Sequence, residues 1–151
     1  MGSAMARILV VDDHPHIIRL VQRELEAEAH EVLAAATGEE ALRMIREEQP
    51  ALVVLDVMLP GKDGLDVLRE VRADPALQAT VIILLTARDE PGDVTHGLQR
   101  GADWYVTKPF RPGDIATVAR RFLESGPEPA FRSAVERLPN GEIDRLTMTC
   151  L

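Results

Sequence analysis

Three carboxylates, a hydroxyl and an ammonium group each close an apolar run in this chain. Residues 6–11 lead into Asp12 and Asp13, and residues 51–55 into Asp56; residues 80–85 end in Thr86 and residues 104–107 in Lys108. Carboxylates gathered at close range repel one another and raise each other's pKa unless a cation sits among them. Hard oxygen ligands with room for water suit Mg2+, which binds through one or two carboxylates plus phosphate oxygens. Lys108 brings a second positive charge and Thr86 a hydroxyl donor. Together these groups would neutralise charge on a phosphoryl group carried by Asp56, which is most of what phosphoryl transfer asks of a protein. A carboxylate nucleophile forming an acyl phosphate is established chemistry.

For those side chains to meet, the runs must be neighbouring strands that end on a common rim. An unbroken apolar run bounded by turn signals, such as residues 51–56 before Pro60-Gly61-Lys62-Asp63-Gly64, reads as a strand buried on both faces of a parallel sheet. Sheets of this kind carry their reactive groups at the carboxyl ends of the strands. The segments between the runs are helical in period. Pro15 fits a first turn, with Asp13 or His14 near the cap, and Ile17, Val21 and Leu25 recur every four positions on a helix reaching about residue 29. Residues 31–35 form a short strand. Thr37 and Glu40 make a capping box that opens a helix with Ala41, Leu42 and Ile45 on one face, stopped by Gln49-Pro50. Leu65, Leu68 and Val71 mark the next helix, closed near Asp74-Pro75, with Asp63 and Asp66 as turn and helix-start residues. Residues 91–100 carry a weak helical pattern interrupted by Gly97, which predicts a short, mobile helix. Pro112 opens a final helix with Ile115, Val118, Ala119, Phe122 and Leu123 at helical spacing. About five alternations of strand and helix give a doubly wound α/β sheet with right-handed crossovers.

Composition bounds the rest. The chain has 151 residues, enough for one domain with a tail; apolar residues make up 46% and aromatics 3%, so the core is aliphatic. A net charge of −8 argues against a nucleic-acid surface on this chain. One cysteine, Cys150, excludes an internal disulfide and suits a reducing cytosol, so the expected location is cytoplasmic. No run approaches the roughly 20 apolar residues of a membrane span. Residues 1–5 read as a cloning remnant rather than a signal peptide. Ser125-Gly-Pro-Glu-Pro129 reads as a linker, and residues 125–151 as linker plus a short tail, either helical around Phe131 to Leu138 or the stump of a longer protein.

Four sequence blocks, Val10-Val-Asp-Asp13, Val54-Leu-Asp-Val-Met-Leu-Pro-Gly-Lys-Asp-Gly64, Leu84-Leu-Thr-Ala87 and Gly101-Ala-Asp-Trp-Tyr-Val-Thr-Lys-Pro-Phe110, stand in order at these strand ends. Over residues 6–124 the chain resembles the receiver domain of two-component response regulators. The resemblance implies a flavodoxin-like (βα)5 parallel sheet with strand order 2-1-3-4-5. It implies that Asp56 is the phosphoacceptor, receiving its phosphoryl group from a sensor histidine kinase or a phosphotransfer protein. Asp13, Asp56 and the Met58 backbone carbonyl would hold Mg2+, with Asp12 acting largely through water, and Thr86 and Lys108 would contact the phosphoryl oxygens. Tyr105 resembles the switch aromatic that turns inward when Thr86 moves. Met58 and Arg88, two residues past Asp56 and Thr86, would tune water's access to the acyl phosphate. Lys108-Pro109 resembles the family's cis peptide. The response would reach a downstream effector or a missing output domain, and self-directed phosphotransfer with slow autodephosphorylation would be the domain's sole enzymatic property.

The motif Gly101-Ala-Asp-Trp-Tyr105 resembles the winged-helix transcription-factor branch, with Trp104 where that branch commonly has a second acid. The branch's homodimer face, on the last strand and last two helices, uses basic residues that fall at Val94, Val118 and Ser125; none is basic here, so those salt bridges cannot form. Val94 and Trp104 would instead offer an apolar patch to a partner. Other readings of the same residues are an aspartyl-nucleophile phosphohydrolase, disfavoured by Met58 where a second acid is needed, and a degenerate interaction module. Taken singly, Asp12 and Asp13 could be a helix cap. His14 and His16, without further ligands, read as solvated rather than metal-bound.

Overall fold

The computed structural model describes residues 5–87, 97–98 and 100–125. Within them the apolar runs pair as a five-stranded parallel sheet in the order β2-β1-β3-β4-β5. The strands are β1 (Arg7–Val11), β2 (Glu31–Ala35), β3 (Leu52–Asp56), β4 (Val81–Ala87) and β5 (Trp104–Lys108). Among the described residues they are accompanied by the helices α1 (Pro15–Glu26), α2 (Gly38–Glu48), α3 (Gly64–Ala73) and α4 (Asp114–Ser125), with a 3-10 turn at Pro75–Leu77. Helix α1 packs against α4 and α2 against α3, which covers the sheet with two helical layers. That double cover explains the unbroken apolar runs, since every residue of β3 is buried. The core is mainly aliphatic, and among the described residues the rings of Phe122 and Trp104 are buried in it.

The helices begin and end for local reasons. Thr37 Oγ1 accepts from the Glu40 N–H, while Glu40 returns its carboxylate to the Ala36 N–H, one residue earlier than the usual reciprocal partner. Asp63 caps α3 by accepting from the Asp66 N–H. Helix α1 stops at Glu26, short of residue 29, because Ala29 turns into the left-handed region at φ 67°. Helix α4 starts at Asp114 rather than Pro112: Gly113 at φ 95° interrupts the helical path, and the first helical turn forms beyond it. The start of α4 is capped from a distance, the Glu24 carboxylate on α1 accepting from both Gly113 and Ala116 N–H groups.

One surface expectation does not hold. Trp104 is buried, its ring 6.3 Å from Phe122 and 6.2 Å from Tyr105, so it fills the layer between β5 and α4 and forms no exposed apolar patch. Val118 is largely buried on α4, and no salt bridge can start from it. Val94, the predicted helix over residues 91–100 apart from its last turn, and the tail beyond Ser125 lie outside the described residues. The neighbouring Asp103, also buried, accepts from Arg72 at 3.0 Å and from the Ile82 N–H at 2.8 Å, which ties α3 to β4 and the start of β5. Among the described residues no helix is long and apolar enough to cross a membrane.

Candidate functional site

Register brings the strand ends to one rim. Val11 pairs with Leu55 across β1 and β3, Asp56 with Leu85 across β3 and β4, and Ala87 with Lys108 across β4 and β5. Asp12 follows the last residue of β1, and its backbone N–H still bonds to the Ala35 carbonyl. The side chains of Asp56, Thr86 and Lys108 therefore reach this rim from positions 44 to 96 residues away from Asp12, assembled by pairing.

The decisive contact is the ammonium of Lys108. Its Nζ donates to Asp12 Oδ2 at 2.7 Å and to Asp56 Oδ2 at 3.2 Å, bridging the first and third strands from the fifth. Asp12 is fully buried and Asp56 nearly so. Burial pushes the Asp56 carboxyl above its ordinary pKa, and the charge of Asp12 pushes the same way; the charge and hydrogen bond of Lys108, with the Met58 N–H, offset part of this. Burial alone would depress the Lys108 pKa, but its hydrogen bond to Asp12 and the charges of both carboxylates outweigh that and hold it above the ordinary value. The nearer partner of Lys108 is thus Asp12. The Lys108–Pro109 peptide is cis.

The remaining candidates distribute around this bridge. Asp13 stands exposed at the mouth of the rim. Thr86 is buried at the end of β4, its hydroxyl donating to the Ala87 carbonyl at a long 3.4 Å. Tyr105 is half-buried on β5, beside Leu84 in register and stacked on Trp104. The Met58 N–H donates to Asp56 Oδ1 at 3.2 Å while its side chain projects into solvent. Arg88 lies outside the described residues.

Two further residues belong here. His14 is exposed as expected, and its Nδ1 also lies 3.1 Å from Asp12 Oδ1 and 3.2 Å from Asp13 Oδ1. Its position directly after the acid pair was the available signal. Gly64 backs the site from beneath, since a Cβ there would sit 2.3 Å from the Asp56 carbonyl oxygen and 2.8 Å from Val57 Cα. The glycine closing the turn after Asp56 lets α3 approach the strand that carries the carboxylate.

The donor set fits a divalent cation. One ligand atom from each of Asp12, Asp13, His14 and Asp56 lies within 4.8 Å of the others, most of them hard oxygens. Such an ion would relieve the repulsion that Lys108 offsets only in part.

The sequence model of the response regulator receiver domain matches residues 8–120. The chain belongs to that family. Its relatives include the DNA-binding response regulator MtrA of Mycolicibacterium smegmatis, 40% identical over 145 residues, which cover 95% of this chain and 60% of that protein. The alkaline phosphatase synthesis transcriptional regulatory protein PhoP of Bacillus subtilis is 46% identical over 117 residues, covering 78% of this chain and 48% of that protein. The receiver thus spans about half to three-fifths of the length of these relatives. Among solved structures, the BeF3-activated DrrB receiver domain superposes with a TM-score of 0.71 at 39% identity, covering 80% of this chain and 99% of that one. The chemotaxis response regulator CheY4 of Vibrio cholerae superposes with a TM-score of 0.73 at 30% identity, covering 78% and 98%. The parallel sheet of order 2-1-3-4-5 is the fold these receivers share. The chain is a two-component response regulator receiver domain, and its relatives are regulators rather than metabolic enzymes.

Proposed function

We propose that this receiver is a phospho-acceptor switch in which Asp56 takes a phosphoryl group from the phosphohistidine of a sensor histidine kinase or phosphotransfer protein. The observation that carries the reading is the Lys108 ammonium held on both Asp12 and Asp56 at the strand ends. An Asp56 oxygen attacks phosphorus, the nitrogen–phosphorus bond of the donor breaks, and the departing imidazole takes up a proton from solvent. Lys108, already within hydrogen-bond reach of Asp56, stabilises the phosphoryl oxygens as charge develops on them. Asp13, Asp56 and the Met58 carbonyl, with Asp12 acting largely through water, would hold Mg2+, which would supply further charge neutralisation.

The readout is a shift in a two-state equilibrium. Thr86 exchanges its long bond to the Ala87 carbonyl for a phosphoryl oxygen, and Tyr105 turns toward the space that Thr86 leaves. Residues 6–124 form the receiver unit, and the altered β4–β5 face controls a partner or an output domain joined through residues 125–151. MtrA is named as DNA-binding; here the acidic receiver is the input half of such a protein, and DNA contact falls to its output partner. Met58 and Arg88 set water's access to the acyl phosphate and hence its lifetime.

The test is incubation with Mg2+ and acetyl phosphate or beryllofluoride, followed by mass and by Trp104 fluorescence, since Trp104 stacks on Tyr105. A stoichiometric adduct that disappears in Asp56→Asn is expected. Turnover of many equivalents without an adduct would instead mark a phosphohydrolase, and no response would mark an inert module.

A further inference from the structure

Helices α1 and α4 pack side by side yet leave an open groove of about 570 Å3 between them. Two carboxylates on the α1 side set the register of its walls. Glu24 accepts from the Gly113 and Ala116 N–H groups, and Glu28 pairs with Arg120 at 2.6 Å. The two walls therefore run in the same direction, with Leu20 at the Pro112 end and Glu28 at the Arg120 end. Between those ends lie the apolar Leu20, Ala27, Phe110, Pro112 and Ala116. Leu20 is 54% exposed, while Val21 and Leu25 of the same helix are fully buried. A lone surface leucine needs no explanation, but one that extends an apolar groove marks a contact surface.

The chain itself supplies a cover of matching size. Helix α4 ends at Ser125, beyond the Arg120 end of the groove. Gly126, Pro127 and Pro129 then disfavour any continuation of that helix. Phe131, Ala134, Val135 and Leu138 follow at the i, i+3, i+4, i+7 spacing of one apolar helical face. Residues 126–130 make a five-residue connection, a length that joins antiparallel helices, and extended they reach about 20 Å. Each groove wall advances eight residues, Leu20 to Glu28 and Pro112 to Arg120, or about 12 Å at helical rise. Residues 131–138 wound as a helix span about the same 12 Å. We propose that the α1–α4 groove is the docking site of this chain's own segment 131–138, laid antiparallel to α4 with Phe131 toward Arg120 and Leu138 toward Leu20 and Phe110. The apolar face then meets the apolar lining, and Arg132, Glu136 and Arg137 on the opposite face stay in water. The segment ends beside Phe110 and Pro112, which follow the Lys108–Pro109 peptide, so tail and carboxylate rim share one loop.

Disulfide trapping in the full chain tests the docking. Cys150→Ser leaves the chain without cysteine. Thr117→Cys with Ala134→Cys then places one thiol on the exposed, groove-lining side of α4 and the other at the middle of the segment's apolar face. Glu47→Cys with Ala134→Cys is the control, Glu47 being exposed on α2 in the other helical layer. Docking raises the effective concentration of the first pair above that of a merely tethered tail, so its intrachain disulfide should form at least about tenfold faster than the control, at a rate independent of protein concentration. Phe131→Asp and Leu20→Asp, added separately, should each bring that rate to within about twofold of the control. Circular dichroism and Trp104 fluorescence verify that each variant is folded. Equal rates for the two pairs, or a fast rate that either aspartate leaves unchanged, overturns the proposal. A product made mainly of two linked chains also overturns it and gives the groove to a second copy. The measurement uses neither Mg2+ nor a phosphoryl donor, so its failure leaves the Asp56 reading intact.

Discussion

Replacing Lys108 with methionine keeps most of the side-chain volume and removes only the charge. In the parent protein the ammonium sits 2.7 Å from one buried carboxylate and 3.2 Å from another. At an effective dielectric near 20, each attraction amounts to about 5–6 kcal/mol before desolvation is counted. Removing one partner of a buried ion pair typically costs about 3–5 kcal/mol, because the charge left behind is uncompensated. Two features reduce that figure here. The Lys108 side chain is 24% exposed, so water reaches one side of the bridge. Asp56, whose pKa is already raised by burial and by Asp12, can take up a proton once the lysine is gone. We therefore expect Lys108→Met to lower stability by about 2–3 kcal/mol without divalent ions. Urea denaturation with and without Mg2+ reads this directly. Adding Mg2+ should narrow the gap, since the ion supplies the missing positive charge, and Mg2+ affinity should not fall, since an ammonium repels a dication. The Trp104 fluorescence change on adding beryllofluoride with Mg2+ should be lost. A variant as stable as its parent without Mg2+, or one whose Mg2+ affinity drops as far as that of Asp13→Ala, would show that the ammonium is not balancing these carboxylates.

Asp56→Asn should raise the stability of the metal-free protein at neutral pH. A carboxyl whose folded-state pKa lies above its unfolded value weakens the fold once it ionises, so the gain should be full above the folded pKa, fade as pH falls through it, and vanish below the unfolded value; thermal melts across acid pH check the sign. Gly64→Ala should destabilise by about 1–3 kcal/mol, because the added methyl meets the backbone of Asp56 and Val57 rather than a movable side chain. Denaturant melts give that value, and beryllofluoride affinity should fall with it, because relief of the clash displaces Asp56.

Much of this receiver was legible before any coordinates. Apolar runs without alternation specify strands covered on both faces, and the runs at residues 6–11, 51–56, 80–86 and 104–107 each became a strand within a residue of the expected bounds. Thr37 with Glu40, and Asp63 with Asp66, specified helix starts through hydrogen bonds that span only three residues. Chemistry of this local kind is written in neighbouring letters. The rim of Asp12, Asp13, Asp56, Thr86 and Lys108 was legible too, because in a parallel sheet every strand end points the same way.

What the sequence could not specify was decided by groups that meet across the fold. Trp104, which the sequence leaves between a surface patch and a cover over its strand, is buried because α4 brings Phe122 over it. The start of α4 depends on Glu24, 89 residues before Gly113, reaching from α1 to its free N–H groups. Lys108 divides itself between Asp12 and Asp56, and the exposed His14 sets one ring nitrogen against the Asp12 carboxylate. Each of these is a matter of a few ångströms between side chains on different elements. Periodicity and spacing set which face a residue occupies, but packing alone sets which atom it touches.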